Sequence, residues 1–123
     1  MFTIDEINEM LDEVAAELPD EIFDKLNGGV SLLPYAQRSA DDLNGNLYTL
    51  GEYRRDQMGR YINIYYGSIC AVYPNATADQ MRVHLKNLLT HELTHHLESL
   101  AGERDLEIKD AQDLEKYRRR GGW

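Results

Sequence analysis

Residues 77–102 read TADQMRVHLKNLLTHELTHHLESLAG, and their spacing decides the architecture. Met81, Leu85, Leu88, Leu89, Leu93, Leu97 and Leu100 recur every three or four residues, the period of one helix face. Thr77 with Gln80 three residues later is a capping box, and Asp79 suits the positive end of the helix dipole. Gly102 is the expected C-cap. The stretch predicts one long helix that holds residues 91–95 well away from either end.

Within that helix, His91-Glu92-Leu93-Thr94-His95 spells HExxH. Residues four apart lie on one face, one turn above the other, so both imidazoles point at one spot. Their nitrogen lone pairs suit a tetrahedral, borderline-soft ion, and Zn²⁺ is the expected cofactor. Glu92 lies beside the pair, where it reaches a water on the ion as general base without being a ligand. Copies of so short a motif occur by chance, but a helix with Leu93 on its packing side is the context the chemistry requires. A catalytic zinc takes a third protein ligand. Asp105 is the first choice, since it lies three residues past Gly102, where the chain is able to turn back. Glu98 shares the His91/His95 side and comes next, with Glu103 and Glu107 behind it. His84 sits on the same stripe, two turns before His91, too far along the axis to reach the same ion.

Outward from the helix the pattern changes. Ile4, Ile7, Met10, Leu11, Val14 and Leu18 mark an amphipathic N-terminal helix, capped by Thr3 and Glu6 and ended by Pro19. A short helical turn over residues 21–26 stops at Asn27-Gly28-Gly29. Three strands follow, at residues 30–36, 47–53 and 61–66, rich in β-branched and aromatic residues. Turns at Asn44-Gly45-Asn46 and Met58-Gly59 separate them. The 61–66 strand immediately precedes the HExxH helix and is the expected edge for an extended peptide substrate. A charged helix over residues 106–120 closes the chain, with Arg118-Arg119-Arg120 near its negative end. The order predicts an α+β fold: a small three-stranded sheet, with mixed pairing one option, packed with the three helices.

The chain has 123 residues, the size of a single domain, and a formal net charge of −9. That charge disfavours nucleic acid and anionic membrane surfaces as partners; it mildly favours basic peptides, but solubility is the commoner reason for an acidic balance and the preferred reading. Cys70 is the one cysteine, so no internal disulfide forms, and its apolar neighbours predict a buried side chain. The acidic N-terminus lacks the features of a signal peptide, and no stretch is long and apolar enough to span a bilayer, so a cytoplasmic location is expected.

Ile62-Asn63-Ile64-Tyr65, His91-Glu92-Leu93-Thr94-His95-His96 and Gly102-Glu103-Arg104-Asp105 together resemble the minimal zincin-like metallopeptidases of bacteria. That family carries an HExxHxxGxxD motif, usually as HExxHH, after a strand of this type. The resemblance covers the C-terminal half well and the N-terminal half by element order. It implies a zincin-like fold, His91, His95 and Asp105 as zinc ligands, Glu92 as catalytic acid and base, and a peptide or protein substrate. Here the Gly stands four residues later than in the family pattern, one helical turn, which moves the expected bend by about 6 Å. Tyr65, Tyr66 and Tyr117 are candidate oxyanion donors, with no choice among them. The rival readings are a structural zinc module, closed by a further ligand such as Glu98, and a non-catalytic interaction protein. Neither uses a base at Glu92.

Overall fold

The computed structural model describes residues 1–39 and 47–119, with the backbone course alone for 104–119. The chain order is α1 (Ile4–Ala16), a 3-10 turn (Asp20–Phe23), β1 (Gly29–Leu33), β2 (Gln37–Arg38), β3 (Tyr48–Thr49), β4 (Gly51–Asp56), β5 (Gly59–Tyr65), α2 (Tyr66–Val72) and α3 (Ala78–Arg119). The expected turn at Asn44-Gly45-Asn46 and the side chains of Tyr117 and Arg118–Arg120 lie outside the described residues.

Both capping boxes form. Thr3 and Glu6 exchange side-chain bonds to each other's backbone N–H, and so do Thr77 and Gln80. The apolar stripe of α1, Ile7, Met10, Leu11 and Val14, is buried against Met81, Leu85, Leu89 and Leu93 of α3. Fully burying one such aliphatic side chain contributes roughly 1.5–3 kcal/mol. At the rim, Glu13 pairs with Arg82 and Glu17 with Lys86, across exposed positions where such pairs add little.

The sheet is mixed, in the order β1-β5-β4. β1 runs parallel to β5, from Gly29 opposite Tyr61 to Leu33 opposite Tyr65. β4 runs antiparallel to β5 across a tight turn that pairs Asp56 with Gly59. A second, two-stranded sheet pairs β2 with β3. β5 is therefore the central strand, which corrects the expectation that it forms the edge. The reason lies in its residues. Ile62 and Ile64 have no exposed surface and Tyr65 almost none, as suits a strand flanked on both sides. The edge nearest α3 is β4.

Two further expectations change. Tyr66–Val72 is helical, although Tyr66 is expected at the end of the preceding strand and residues 69–72 carry only an apolar run. Gly67 lets α2 start against the chain before β2: its N–H donates to the Tyr35 carbonyl, and a Cβ there would lie 2.4 Å from the Ala36 nitrogen. The second change is at Gly102, which is not a C-cap. α3 runs through it to Arg119, so the two predicted C-terminal helices are one. Gly102 does not take the left-handed conformation that an αL cap needs; among the described glycines, positive φ occurs at Gly29 and Gly59. A lone helical glycine costs about 1 kcal/mol relative to alanine, too little to break a helix that other contacts hold. One such contact follows at once. Glu103 takes Arg55 Nη2 and Arg60 Nη2 at 2.7 Å each, tying α3 to the β4–β5 hairpin. No helix among the described residues is long and apolar enough to cross a membrane.

The Glu103 tie is pH-dependent. Its hydrogen bond from Arg60, with the charges of Arg55, Arg60 and Lys25, holds the carboxyl below its ordinary value of 4.5. A carboxyl with a depressed folded-state pKa contributes stability above its unfolded pKa, and that contribution is lost as pH falls through the folded value. Amide hydrogen exchange around residues 99–103 should therefore quicken on acidification below about pH 4.5, beyond the loss seen elsewhere in α3. Glu103→Gln should exchange faster at neutral pH and lose that extra acid dependence. Equal acid dependence in the variant would remove Glu103 as the tie.

Candidate metal centre

The first half of α3 has two faces. Met81, Leu85, Leu89, Glu92, Leu93 and His96 are buried, while His91 and His95 are exposed at the margin. The helical period puts the two imidazoles one turn apart, and their rings meet edge to face with centroids 4.7 Å apart. Their Nε2 atoms are 3.2 Å apart. Two nitrogens bound at about 2.0–2.1 Å to one tetrahedral zinc stand roughly 3.3–3.4 Å from each other. The spacing thus suits a shared ion with almost no movement. It is equally a hydrogen-bond distance, with one ring donating to the other when no ion intervenes. His91, Glu92 and His95 each offer a ligand atom, all within 4.8 Å of one another. They are the metal-competent group of His, Cys, Asp and Glu found among the described residues.

Glu92 differs from its neighbours in burial. It is 5% exposed, with Oε1 3.8 Å from His91 Nε2. Burial pushes its carboxyl above the ordinary value, opposed by the two histidines and the Tyr53 backbone N–H. A carboxyl shifted upward is a better proton acceptor, which is what a general base requires.

Facing the helix is the β4 edge. Gly51, Glu52 and Tyr53 line one wall of an open cleft of about 620 Å³, and Glu92, His95, Glu98 and Ser99 line the other. Gly51 sets the width. A Cβ there would come within 3.2 Å of Leu88 Cδ1 and of the Asn63 carbonyl, so a larger residue would push helix and strand apart. Tyr53 reaches across to His96, whose Nδ1 lies 3.0 Å from the Tyr53 hydroxyl and whose Nε2 lies 2.7 Å from the Asp24 carbonyl. A carbonyl only accepts, so Nε2 carries the proton and Nδ1 accepts from the tyrosine. His96 has no exposed surface. It is a structural clamp, and this last histidine of HExxHH is committed to Tyr53 and Asp24.

The structure also locates the remaining candidates. Glu98 Oε2 is 3.8 Å from His95 Nδ1, the ring nitrogen remote from the Nε2 pair. Glu103 is occupied by Arg55 and Arg60. His84 stacks on Tyr73, centroids 3.8 Å apart. The side chains of Asp105 and Glu107 lie outside the described residues. The helical backbone puts Asp105 ten residues past His95, roughly 15 Å along the axis. Tyr66 donates to the Phe2 carbonyl at 2.6 Å, and Tyr65 donates to the Glu52 carboxylate. Burial, and then Glu52, push the Tyr65 hydroxyl up to about 12. Tyr66 is thus committed to Phe2, and Tyr65 to Glu52, a residue that lines the same cleft as His95. Cys70 is half-buried, which corrects the expectation of a fully buried thiol.

Sequence reasoning missed Gly51, Glu52, Tyr53 and Ser99. A glycine inside a strand is a recognised mark of close backbone approach, and Gly51 was the available signal. Nothing in the spacing links Glu52 or Tyr53 to a motif some forty residues on.

No protein-family model and no curated protein matches the chain. Among solved structures it is similar to a conserved hypothetical protein from Thermus thermophilus, with 31% identity and a TM-score of 0.67. The match covers 82% of this chain and 99% of that one.

The clamp assignment separates His96 from the metal. His96→Ala removes two hydrogen bonds and opens a cavity, with an expected loss of about 2–4 kcal/mol in urea unfolding. Zinc bound per folded molecule should stay at the wild-type level. A loss of zinc without a loss of stability would make His96 a ligand.

Proposed function

We propose that this chain, which belongs to the family of the conserved hypothetical protein from Thermus thermophilus, is a zincin-like, zinc-dependent metallopeptidase. The observation that carries the reading is the His91–His95 Nε2 pair at 3.2 Å with the buried Glu92 beside it, open to a cleft. His91 and His95 hold the ion. When bound, Zn²⁺ supplies a Lewis acid that activates water and stabilises negative charge on the scissile carbonyl oxygen. Glu92 takes a proton from the attacking water and later returns it to the leaving amine nitrogen. Burial keeps that carboxyl out of bulk solvent and raises its basicity. The β4 edge at Gly51–Tyr53 offers main-chain groups beside the cleft, so an extended peptide binds there by strand addition.

Asp105 is the proposed third ligand. Its use requires α3 to bend at Gly102, where a residue without a Cβ is able to leave the helical conformation at low cost. Glu98 lies on the far side of the His95 ring and suits an orienting role instead. In a competitive chelator titration, Asp105→Ala should weaken zinc by more than the roughly 10–100-fold that loss of an outer partner costs. Glu98→Ala should stay within or below that range. The reverse order would move the ligand to Glu98.

Catalysis is tested at Glu92. Elemental analysis should find about one zinc per chain in the wild type and none in His91→Ala/His95→Ala. Glu92→Gln should keep the zinc and a near wild-type melting temperature. Its hydrolysis of an unfolded protein or peptide library should fall by about two orders of magnitude or more. Equal turnover by wild type and Glu92→Gln would sink the mechanism.

A further inference from the structure

Resting on the peptidase reading above, we infer that the cleft selects an extended peptide with a lysine or arginine side chain opposite Glu52. The lining supplies the first reason. Glu52, Glu92 and Glu98 line the space, and no lysine or arginine does so among the described residues. Glu98 stands on the helix wall and Glu52 on the strand wall, where Gly51 and Tyr53 face α3 and strand alternation turns the Glu52 side chain to the other face of β4.

The second reason is how Glu52 is held. It is half-buried, and its Oε1 accepts from both the Tyr65 hydroxyl and Arg54 Nε. Tyr65 is 3% exposed and belongs to the central strand, so it anchors one carboxylate oxygen rigidly. Arg54 is mostly exposed, where solvent screens its charge. Oε2 has no hydrogen-bond partner among the described residues. A preorganised carboxylate with one oxygen to spare is an acceptor for a cation.

The third reason is the strand itself. β4 pairs with β5 on one side and carries no strand on its other side among the described residues. A peptide added there lies in register with Gly51, Glu52 and Tyr53, and directly opposed side chains then interact in pairs. A cation facing Glu52 forms a cross-strand ion pair, and an anion there is repelled. Glu52 thus acts as a specificity residue on the β4 edge.

Binding to zinc-loaded Glu92→Gln protein tests this without requiring turnover. Three labelled peptides of one extended sequence, differing by lysine, norleucine or glutamate at a single position scanned along the chain, are compared by fluorescence anisotropy. At the best position lysine should bind at least about tenfold tighter than norleucine, and glutamate weakest. Adding Glu52→Gln should abolish the lysine advantage and leave norleucine binding unchanged, whereas Glu52→Asp should retain part of it. Thermal melting of each variant checks that the fold persists. Equal binding of the three peptides, no binding of any, or a lysine advantage that survives Glu52→Gln would overturn the inference. Wild-type turnover of the same peptides distinguishes the two readings. Preferential binding without cleavage supports the recognition site and defeats the peptidase reading; cleavage without preference defeats the recognition site alone.

Discussion

A histidine with no exposed surface, set among leucines on a helix, needs partners for both ring nitrogens; each one left bare costs about 1–3 kcal/mol. His96 finds them on two different elements, the Tyr53 hydroxyl of β4 and the Asp24 carbonyl that follows the 3-10 turn. The tautomer is fixed because only one of these partners donates. α3 is therefore not free to slide or rotate against the sheet as a purely apolar ridge would be. Its rotation is keyed by one side chain, and its approach is close at Gly51, where an added Cβ would stand 3.2 Å from Leu88 Cδ1.

The chemistry inherits that keying. Glu92 lies one turn before His96 on the same face and is carried inward with it, where burial raises its carboxyl. His91 and His95 fall at the margin of the face, with their Nε2 atoms together at the mouth of the cleft. The same β4 residues that receive the helix form the opposite wall. Support and site are thus built from one interface, so Glu92, the paired nitrogens and the strand edge hold a common geometry without a separate scaffold.

Beyond the sheet, α3 outruns its own packing. The last buried residue of the described face is His96, and the strongest tie after it is Glu103 with its two arginines from the β4–β5 hairpin. The Arg55–Glu103 pair is exposed and worth less than the leucine packing behind it, while Arg60 is mostly buried. The first half of α3 is held by burial and the stretch around Gly102 by electrostatics. Rearrangement of the chain is accordingly cheaper there than at the histidine pair.

By itself, the sequence determined the elements whose causes are local. The capping boxes at Thr3 and Thr77, the leucine stripe from Met81 to Leu93 and the turn at Met58-Gly59 depend on neighbours within a few residues, and all are present in the fold. The convergence of His91 and His95 was legible for the same reason, since four residues on a helix is a fixed geometry. Tertiary structure decided the rest. Whether the 59–65 strand is central or at an edge depends on β1, which arrives from some thirty residues earlier to pair in parallel. Gly102 reads as a stop in isolation, yet Glu103 meets arginines from the hairpin and the helix continues. His96 looked like part of a metal motif until Asp24 and Tyr53 were brought to it. Glu52 carries no local signal at all. Strand order, helix continuation and the far wall of the cleft depend on contacts between distant segments, and no periodicity encodes which distant segment will arrive.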